Sequence, residues 1–301
     1  MLRIFKAKET HLRFSKLVRI IKWMMKKVYF DTNVYTHIRN RQYDITDADA
    51  ARFFAKLDSH KVKVYLSGAL LEETVSALLS SEQDALSRLK MFHRMTPRKR
   101  VLNDYLEILK AIISAYATGG PVGSFFQSGH FLQGLLKNQS LKTIANLRKI
   151  AKESQQQIQQ RKESTEQLFD GKIWPLVQRG RDTGAPQQSF DDYWDEHYGR
   201  ILELFAEKSG LLDECRREGM AGLLEFTPMR AITVGILSQG YANTYENSAI
   251  NRGDSRDLHH VVYAASIGTL VTHDRKFMRI MKRIPIQGFE VTDFHGLLEQ
   301  L

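Results

Sequence analysis

Short, continuous apolar runs stand near both ends of this chain. Residues 28–30 (Val-Tyr-Phe) stop at Asp31, and residues 270–272 (Leu-Val-Thr) are followed, after one histidine, by Asp274. Unbroken apolar runs of this length are typical of strands buried on both faces of a parallel sheet. Because ligands bind beyond the carboxyl ends of such strands, we expect Asp31 and Asp274 to share one crevice.

The first 80 residues alternate between strand and helix patterns. A short helix-compatible segment over 34–39 follows the first strand, and a helix over 50–57 begins after acids typical of a first helical turn. Residues 62–66 have the pattern of a second strand. Ser67 and a glycine then open a helix with leucines and a valine at helical spacing. This order predicts a parallel sheet.

Beyond residue 82 the strand signal almost disappears until residue 250. Helical patterns cover 98–117, 141–168, 190–208 and 227–246, and a further helix over 254–267 precedes strands at 269–272 and 288–291. We therefore predict a three-layer α/β/α fold with a central parallel sheet, interrupted by a long all-helical insertion. The predicted domain spans 26–301, with its core in 26–82 and 250–301. The insertion, about 83–249, is expected to cover or extend the mouth of the crevice.

Composition excludes several classes of protein. The chain has 301 residues, 43% hydrophobic and 26% charged, which is ordinary for a globular protein. Its single cysteine, Cys215, permits neither a disulfide framework nor a cysteine zinc cluster. No apolar run approaches the roughly 20 residues of a membrane span. We expect a cytoplasmic protein without a membrane partner.

The net charge of +10 is concentrated at the N-terminus. Residues 1–27 carry nine Lys and Arg against one acid, so the remaining chain is nearly neutral. Residues 1–25 form a basic N-terminal extension, which fits an amphipathic helix that contacts phosphates or a membrane surface. Translation from Met24 or Met25 is the alternative. For this reason the functional inference rests on the acids.

Four acids share one end of the predicted sheet. Asp31 and Asp274 follow strands, Glu73 lies early in the helix after the second strand, and Asp257 lies in the first turn of the helix that feeds the last long strand. Gathered carboxylates repel one another and need a cation. Mg²⁺ and Mn²⁺ prefer oxygen ligands and can activate water for phosphodiester hydrolysis.

Four segments together resemble the PIN-domain nucleases. They are Phe30-Asp31-Thr32-Asn33, Leu66-Ser67 through Glu73, the segment from Asp257 to Ala265, and the segment from Val271 to Phe277. The resemblance covers about residues 26–80 and 250–295. It implies an α/β/α fold and RNA cleavage with Mg²⁺ or Mn²⁺. Many members are about half this length, so the insertion has no counterpart among them.

The resemblance also implies roles for individual residues. Asp31, Glu73, Asp257 and Asp274 would be the catalytic, metal-binding acids. Three polar residues would orient carboxylates or water: Thr32, Asn33 and Thr272.

Several assignments leave an alternative open. Asp31 fits either a metal ligand or the cap of the helix that follows it, and Glu72 competes with Glu73 for the same role. Asp254 fits either an N-cap or a fifth ligand, and the Thr272 hydroxyl could serve only the backbone. His260 fits either support of the acids or ordinary packing.

Basic and aromatic residues near the predicted crevice are candidates for RNA contact. Arg275, Lys276 and Arg279 directly follow Asp274 and suit phosphates. Tyr35 and His37 suit stacking on an unpaired base, although Tyr35 suits packing equally well.

The function we expect is a metal-dependent endoribonuclease that leaves 5′-phosphate and 3′-hydroxyl ends. A toxin, an RNA-processing enzyme and a defence protein are all compatible with it. Its expected partners are RNA and, for a toxin, an antitoxin or other regulatory protein; a homodimer is a further option. One alternative is an inactive PIN-like module that binds RNA or protein. A haloacid-dehalogenase-type phosphatase is disfavoured because Asn33 stands where that chemistry needs an aspartate.

Overall fold

A computed structural model describes residues 25–96, 101–126, 144–178, 188–246, 248–250 and 254–301. Apart from Met25, the predicted N-terminal extension lies outside the described residues. No helix within these ranges is long and apolar enough to cross a membrane.

A sheet of five parallel strands forms the centre of the molecule; the sequence predicts a central parallel sheet and four of these strands. In chain order they are β1 (Lys26–Phe30), β2 (Val62–Ser67), β3 (Val101–Leu102), β4 (Thr269–Val271) and β5 (Glu290–Thr292). Their order across the sheet is β3-β2-β1-β4-β5. Tyr29 pairs with Tyr65 of β2 and Leu270 of β4, so the carboxyl ends of β1, β2 and β4 lie side by side.

Helices surround this sheet and make the fold a three-layer α/β/α arrangement. In chain order they are α1 (Thr32–Asn40), α2 (Asp47–Asp58), α3 (Gly68–Ala77), α4 (Glu82–Met95), α5 (Tyr105–Thr118), α6 (Ile144–Leu168), α7 (Trp174–Val177), α8 (Phe190–Lys208), α9 (Leu212–Glu218), α10 (Thr227–Tyr245), α11 (Asp254–Ala265), α12 (Arg275–Met281) and α13 (Phe294–Glu299). A π-helical turn, Phe169–Ile173, joins α6 to α7, and a 3₁₀ helix, Met220–Glu225, precedes α10.

Local side-chain chemistry explains where several helices begin. Thr46 accepts a hydrogen bond from the backbone N–H of Asp49, whose carboxylate accepts one from the Thr46 backbone, so α2 starts with a capping box. Ser67 ends β2 and accepts from the N–H of Leu70, which starts α3 directly after the strand. These two caps bring the chain from strand to helix with little intervening loop.

The edge strand β3 differs from the sequence prediction, which has only helices between residues 83 and 249. Val101 and Leu102 are buried and continue the sheet beside β2. Helix α5 therefore begins at Tyr105, after an Asp104 cap, and not at residue 98. A two-residue strand is too short to produce a periodic pattern, which is why the sequence does not reveal it.

Helix α10 fixes the position of α11 behind the sheet. It is buried around almost its whole circumference, and its glycines allow close approach. A Cβ atom on Gly235 would lie 2.4 Å from the Leu258 side chain of α11. Close packing of this kind makes the start of α11, with Asp254 and Asp257, a rigid element of the fold.

Candidate active site

Asp31 lies at the carboxyl end of β1 and directly before α1. Its carboxylate makes no capping hydrogen bond to α1. It accepts instead a 3.0 Å hydrogen bond from the hydroxyl of Thr272, which follows β4. Asp31 is therefore tied to the neighbouring strand end, and the helix-capping alternative does not describe it.

Thr272 also contacts Asp274, so one buried hydroxyl connects two strand-end acids. The Asp274 backbone N–H donates to the Thr272 Oγ1 over 3.1 Å. The Asp274 carboxylate accepts from the N–H of Phe277 at 2.9 Å and caps α12. Thr272 thus serves the backbone and also orients a carboxylate, so both of the roles left open for it are present.

Glu72 and Glu73 differ in their surroundings. The carboxylate of Glu73 accepts a 2.6 Å hydrogen bond from the Thr32 hydroxyl at the start of α1. Glu72 is buried and forms a 2.9 Å salt bridge with Arg161 of α6. Glu73 is therefore connected to the residues that follow the end of β1. Its role as a metal ligand stays a prediction that this geometry supports.

Asp257 shows most directly that the acids lie together. Burial and, in decreasing order, the negative charges of Asp31, Asp274, Asp254 and Glu73 together raise the pKa of Asp257 to about 8. These five residues, Asp31, Glu73, Asp254, Asp257 and Asp274, are called the acid cluster below. They come from the ends of β1 and β4 and from α3 and α11.

Basic groups compensate only part of this negative charge. Within the described ranges, Lys276 lies 3.6 Å from Asp254 and the His260 ring lies 4.0 Å from Glu73, and basic nitrogens reach no other member of the acid cluster. Asp254, the first residue of α11, also accepts a hydrogen bond from the Gln239 side chain of α10. Asp254 therefore belongs to the cluster and is fixed by its neighbours.

The donor set suits Mg²⁺ or Mn²⁺, although the carboxylates do not converge. Across the described residues, no three His, Cys, Asp or Glu side chains are arranged so that they could hold a metal ion as they stand. Single protein donors hold them apart, as Thr272 holds Asp31 and Thr32 holds Glu73. Side-chain rotation about those hydrogen bonds would be needed for shared coordination. Oxygen-only ligands at a site of excess negative charge are what these hard cations require.

A buried hydrogen-bonded chain lies behind Glu73 that the sequence analysis does not identify. The Tyr29 hydroxyl is 2.7 Å from Nδ1 of His260 and 2.8 Å from the Ser67 hydroxyl. His260 thus faces Glu73 with one ring nitrogen and Tyr29 with the other. A tyrosine within an otherwise apolar buried strand is the signal for such a partner, because a buried hydroxyl needs a hydrogen bond.

A small cavity of about 60 Å³ adjoins Glu73 beneath α6. Its walls come from α3, α5, α6 and α11, and Glu72, Arg161 and Tyr105 are among them. We call it the α6 cavity. The insertion therefore contributes residues next to the acid cluster.

The predicted RNA contacts occupy different environments. Arg275 and Arg279 are exposed on α12, whereas Lys276 is half-buried and pairs with Asp254. Tyr35 is buried against Phe92 in the core, so packing is its role, and stacking on RNA is not. Asn33 is exposed at the start of α1.

His37, on α1, and His273, which follows Thr272, meet beside Asp31. Their Nδ1 atoms are 2.7 Å apart. Burial, and after it the adjacent His37, lower the pKa of His273 to about 4. Burial also lowers the pKa of His37, opposed by the charge of Asp31. Two neutral imidazoles therefore lie beside Asp31.

Comparison with family models, with curated proteins and with solved structures finds no match to this chain.

Proposed function

We propose that this protein is a metal-dependent endoribonuclease. The observation that carries the proposal is Asp257, a half-buried carboxyl surrounded by four other acids, at the carboxyl end of a parallel sheet. An arrangement of this kind costs folding free energy, because like charges in a partly desolvated site disfavour ionisation. Costly carboxylate clusters are characteristic of sites that bind cations and perform chemistry.

Asp31, Glu73, Asp257 and Asp274 are the residues that would hold the ion. A bound Mg²⁺ or Mn²⁺ would supply a water that is nucleophilic near neutral pH and positive charge for the transition state. Asp254 would remain outside this set, held by Gln239 and Lys276.

The surrounding residues hold the acids and receive the substrate. Thr272 orients Asp31, Thr32 orients Glu73, and His260 supports Glu73 from behind. The exposed Arg275 and Arg279 provide positive charge for phosphates at the start of α12. Uncut RNA would therefore approach from the α12 side.

The test is cleavage of end-labelled single-stranded RNA by the full-length protein, with Mg²⁺, with Mn²⁺ and with EDTA. We expect metal-dependent cuts whose products carry 5′-phosphate and 3′-hydroxyl ends. Asp31→Asn should abolish them. Asp58→Asn, at the exposed end of α2, is the matched control and should cleave like the unaltered protein.

A second readout separates metal binding from catalysis. Mn²⁺ binding, measured by electron paramagnetic resonance, should be lost in Asp31→Asn and kept in Asp58→Asn. The proposal fails if neither metal supports cleavage, or if Asp31→Asn cuts as well as the unaltered protein. RNA binding that ignores both EDTA and Asp31→Asn would indicate an inactive RNA-binding module.

A further inference from the structure

One aromatic side chain beside the acid cluster is unusually exposed. Tyr43, in the loop between α1 and α2, is 55% exposed. Within the described ranges Leu79 is the other large hydrophobic side chain with comparable exposure, and it lies at the opposite end of α3 from Ser67. Exposure of a tyrosine ring has to be explained by what the ring contacts.

The Tyr43 ring stacks on the histidines next to the acids. Its plane lies 9° from that of His273, with ring centroids 4.8 Å apart. The His37 ring is 4.3 Å away on a tilt of 43°. The three rings therefore form a single aromatic surface. His273 connects it to the acid cluster, because it precedes Asp274 and follows Thr272, which binds Asp31.

The backbone of this loop is strained in order to present the ring. Tyr43 and Asp44 have φ values of +55° and +59°, a region that bulky residues rarely adopt. Arg41 shares that region, but it ends α1, where a left-handed residue is ordinary. No helix end accounts for Tyr43. Non-glycine residues in this region are strained and cluster at functional sites.

Surrounding contacts hold the strained loop in place. The ring of His295, on α13, lies 3.2 Å from the Tyr43 carbonyl. Ile45, two residues on, is buried in the core. Arg41 forms a salt bridge of 2.7 Å with Asp47. One core residue and two surface contacts thus hold the loop, while the tyrosine ring remains more than half exposed.

We infer that Tyr43, with His37 and His273 beneath it, is a stacking site for an unpaired base of the RNA substrate. Every base presents an aromatic face, and stacking on a protein ring requires a base that is not in a duplex. The inference rests on the proposed function for its choice of ligand. It adds that the preferred substrate is single-stranded and that the base next to the cleaved phosphate is held by a ring.

The test uses the full-length protein in EDTA, so that no RNA is cut. Its probes are short single-stranded oligoribonucleotides carrying one 2-aminopurine at successive positions. We expect strong quenching of the 2-aminopurine fluorescence at one position, and none with a duplex of the same sequence. Tyr43→Asn should remove the quenching and weaken binding by at least about fivefold, since one stacked base contributes about 1–3 kcal/mol.

The choice of variants keeps folding out of the result. Asparagine tolerates the left-handed backbone at this position, so Tyr43→Asn should be no less stable to heat than the unaltered protein. Tyr43→Trp should restore quenching. Leu79→Asn, which removes the comparable exposed side chain, should bind RNA normally.

The outcomes separate this inference from the nuclease proposal. Cleavage of single-stranded RNA with an unchanged KM in Tyr43→Asn would overturn the stacking site and leave the nuclease intact. Quenching that depends on Tyr43 in a protein that never cuts RNA would support the stacking site and contradict the nuclease proposal. Absence of RNA binding, or a Tyr43→Asn variant whose only change is its mass by light scattering, would overturn the stacking site.

Discussion

Glu72 and Glu73 are adjacent in the sequence, but their carboxylates lie in two different regions. In one region a basic side chain balances the negative charge, and in the other further acids surround it. Glu72 faces the α6 cavity, where Arg161 neutralises it. Glu73 faces the acid cluster, where a hydroxyl and a histidine ring are its neighbours. On the same turn of one helix, one carboxylate is compensated by a guanidinium and the other is left among further acids.

This difference separates structural acids from candidate functional ones. A buried carboxylate that has a salt bridge helps to hold the insertion on the core. A hydroxyl donates to Asp31 and a backbone amide to Asp274. Within the described residues, no basic nitrogen lies within 4.0 Å of Asp31, Asp257 or Asp274. Such acids are unfavourable for folding, and their compensation is expected from a bound cation.

The largest expected effect distinguishes the two glutamates. Glu73→Gln should reduce kcat/KM for RNA by at least about 100-fold, because a ligand to the metal contributes several kcal/mol and about 1.4 kcal/mol is a factor of ten. Glu72→Gln should keep most of the activity. The measurement is kcat/KM of both variants under one metal concentration. A reversed pattern would assign the ligand role to Glu72.

The next effect concerns the salt bridge between Arg161 and Glu72. Arg161→Ala leaves the buried Glu72 without its salt bridge, and we expect the free energy of unfolding to fall by about 2–4 kcal/mol. Urea denaturation measures it. Arg148→Ala, on the same helix α6, is the control, because the Arg148 side chain is exposed and its salt bridge with Glu82 of α4 should be worth less than about 1 kcal/mol. Equal losses in the two variants would contradict the contrast between the two regions.

Asp257 provides a pH test of the acid cluster. Its pKa in the folded protein is about 8, above the value of about 4 for an unfolded aspartate. A raised pKa means that the folded state holds the proton more tightly, so the contribution of Asp257 to metal-free stability should fall as pH rises from about 4 to 8. Asp257→Asn should remove this pH-dependent contribution. The free energy of unfolding at pH 8 should then rise by about 2 kcal/mol, which raises Tm by several degrees.

Metal addition supplies the control for that experiment. Mn²⁺ at pH 8 should stabilise the unaltered protein and leave Asp257→Asn nearly unchanged, as scanning calorimetry can measure. If the difference in Tm between metal-free Asp257→Asn and the metal-free unaltered protein does not grow from pH 4 to 8, the raised pKa is contradicted.

The sequence predicts those parts of the molecule that local patterns determine. Apolar runs locate β1 and β4, and the Ser67 cap locates the start of α3. Strand β3 is not predicted, because two residues are too few to show the alternating or continuous apolar pattern of a strand. The distinct surroundings of Glu72 and Glu73 escape because Arg161 is 89 residues away in the chain.

The aromatic surface is undetectable in the sequence for a related reason. His37, Tyr43 and His273 belong to different elements, and stacking depends on the left-handed backbone at Tyr43. Nothing in the residues 41–44 (Arg-Gln-Tyr-Asp) signals that conformation, since glycine is its usual marker. The sequence analysis selects Tyr35 and His37 for stacking, and of these the structure leaves only His37 near the surface.

The smallest expected effect concerns Lys276. It tests whether this lysine neutralises Asp254 within the protein or is free to contact RNA phosphates. Its ammonium lies 3.6 Å from Asp254 and also donates to the carbonyl of Ala249, so it is partly engaged within the protein. Arg275, one residue earlier, is exposed.

We expect Arg275→Ala to reduce the slope of log affinity against log salt for RNA binding by about one, as the loss of one phosphate contact requires. Lys276→Ala should change that slope by less than half as much and alter stability by no more than about 1 kcal/mol. If Lys276→Ala has the larger slope change, the lysine leaves Asp254 when RNA binds, and the uncompensated region of the acid cluster grows to include Asp254.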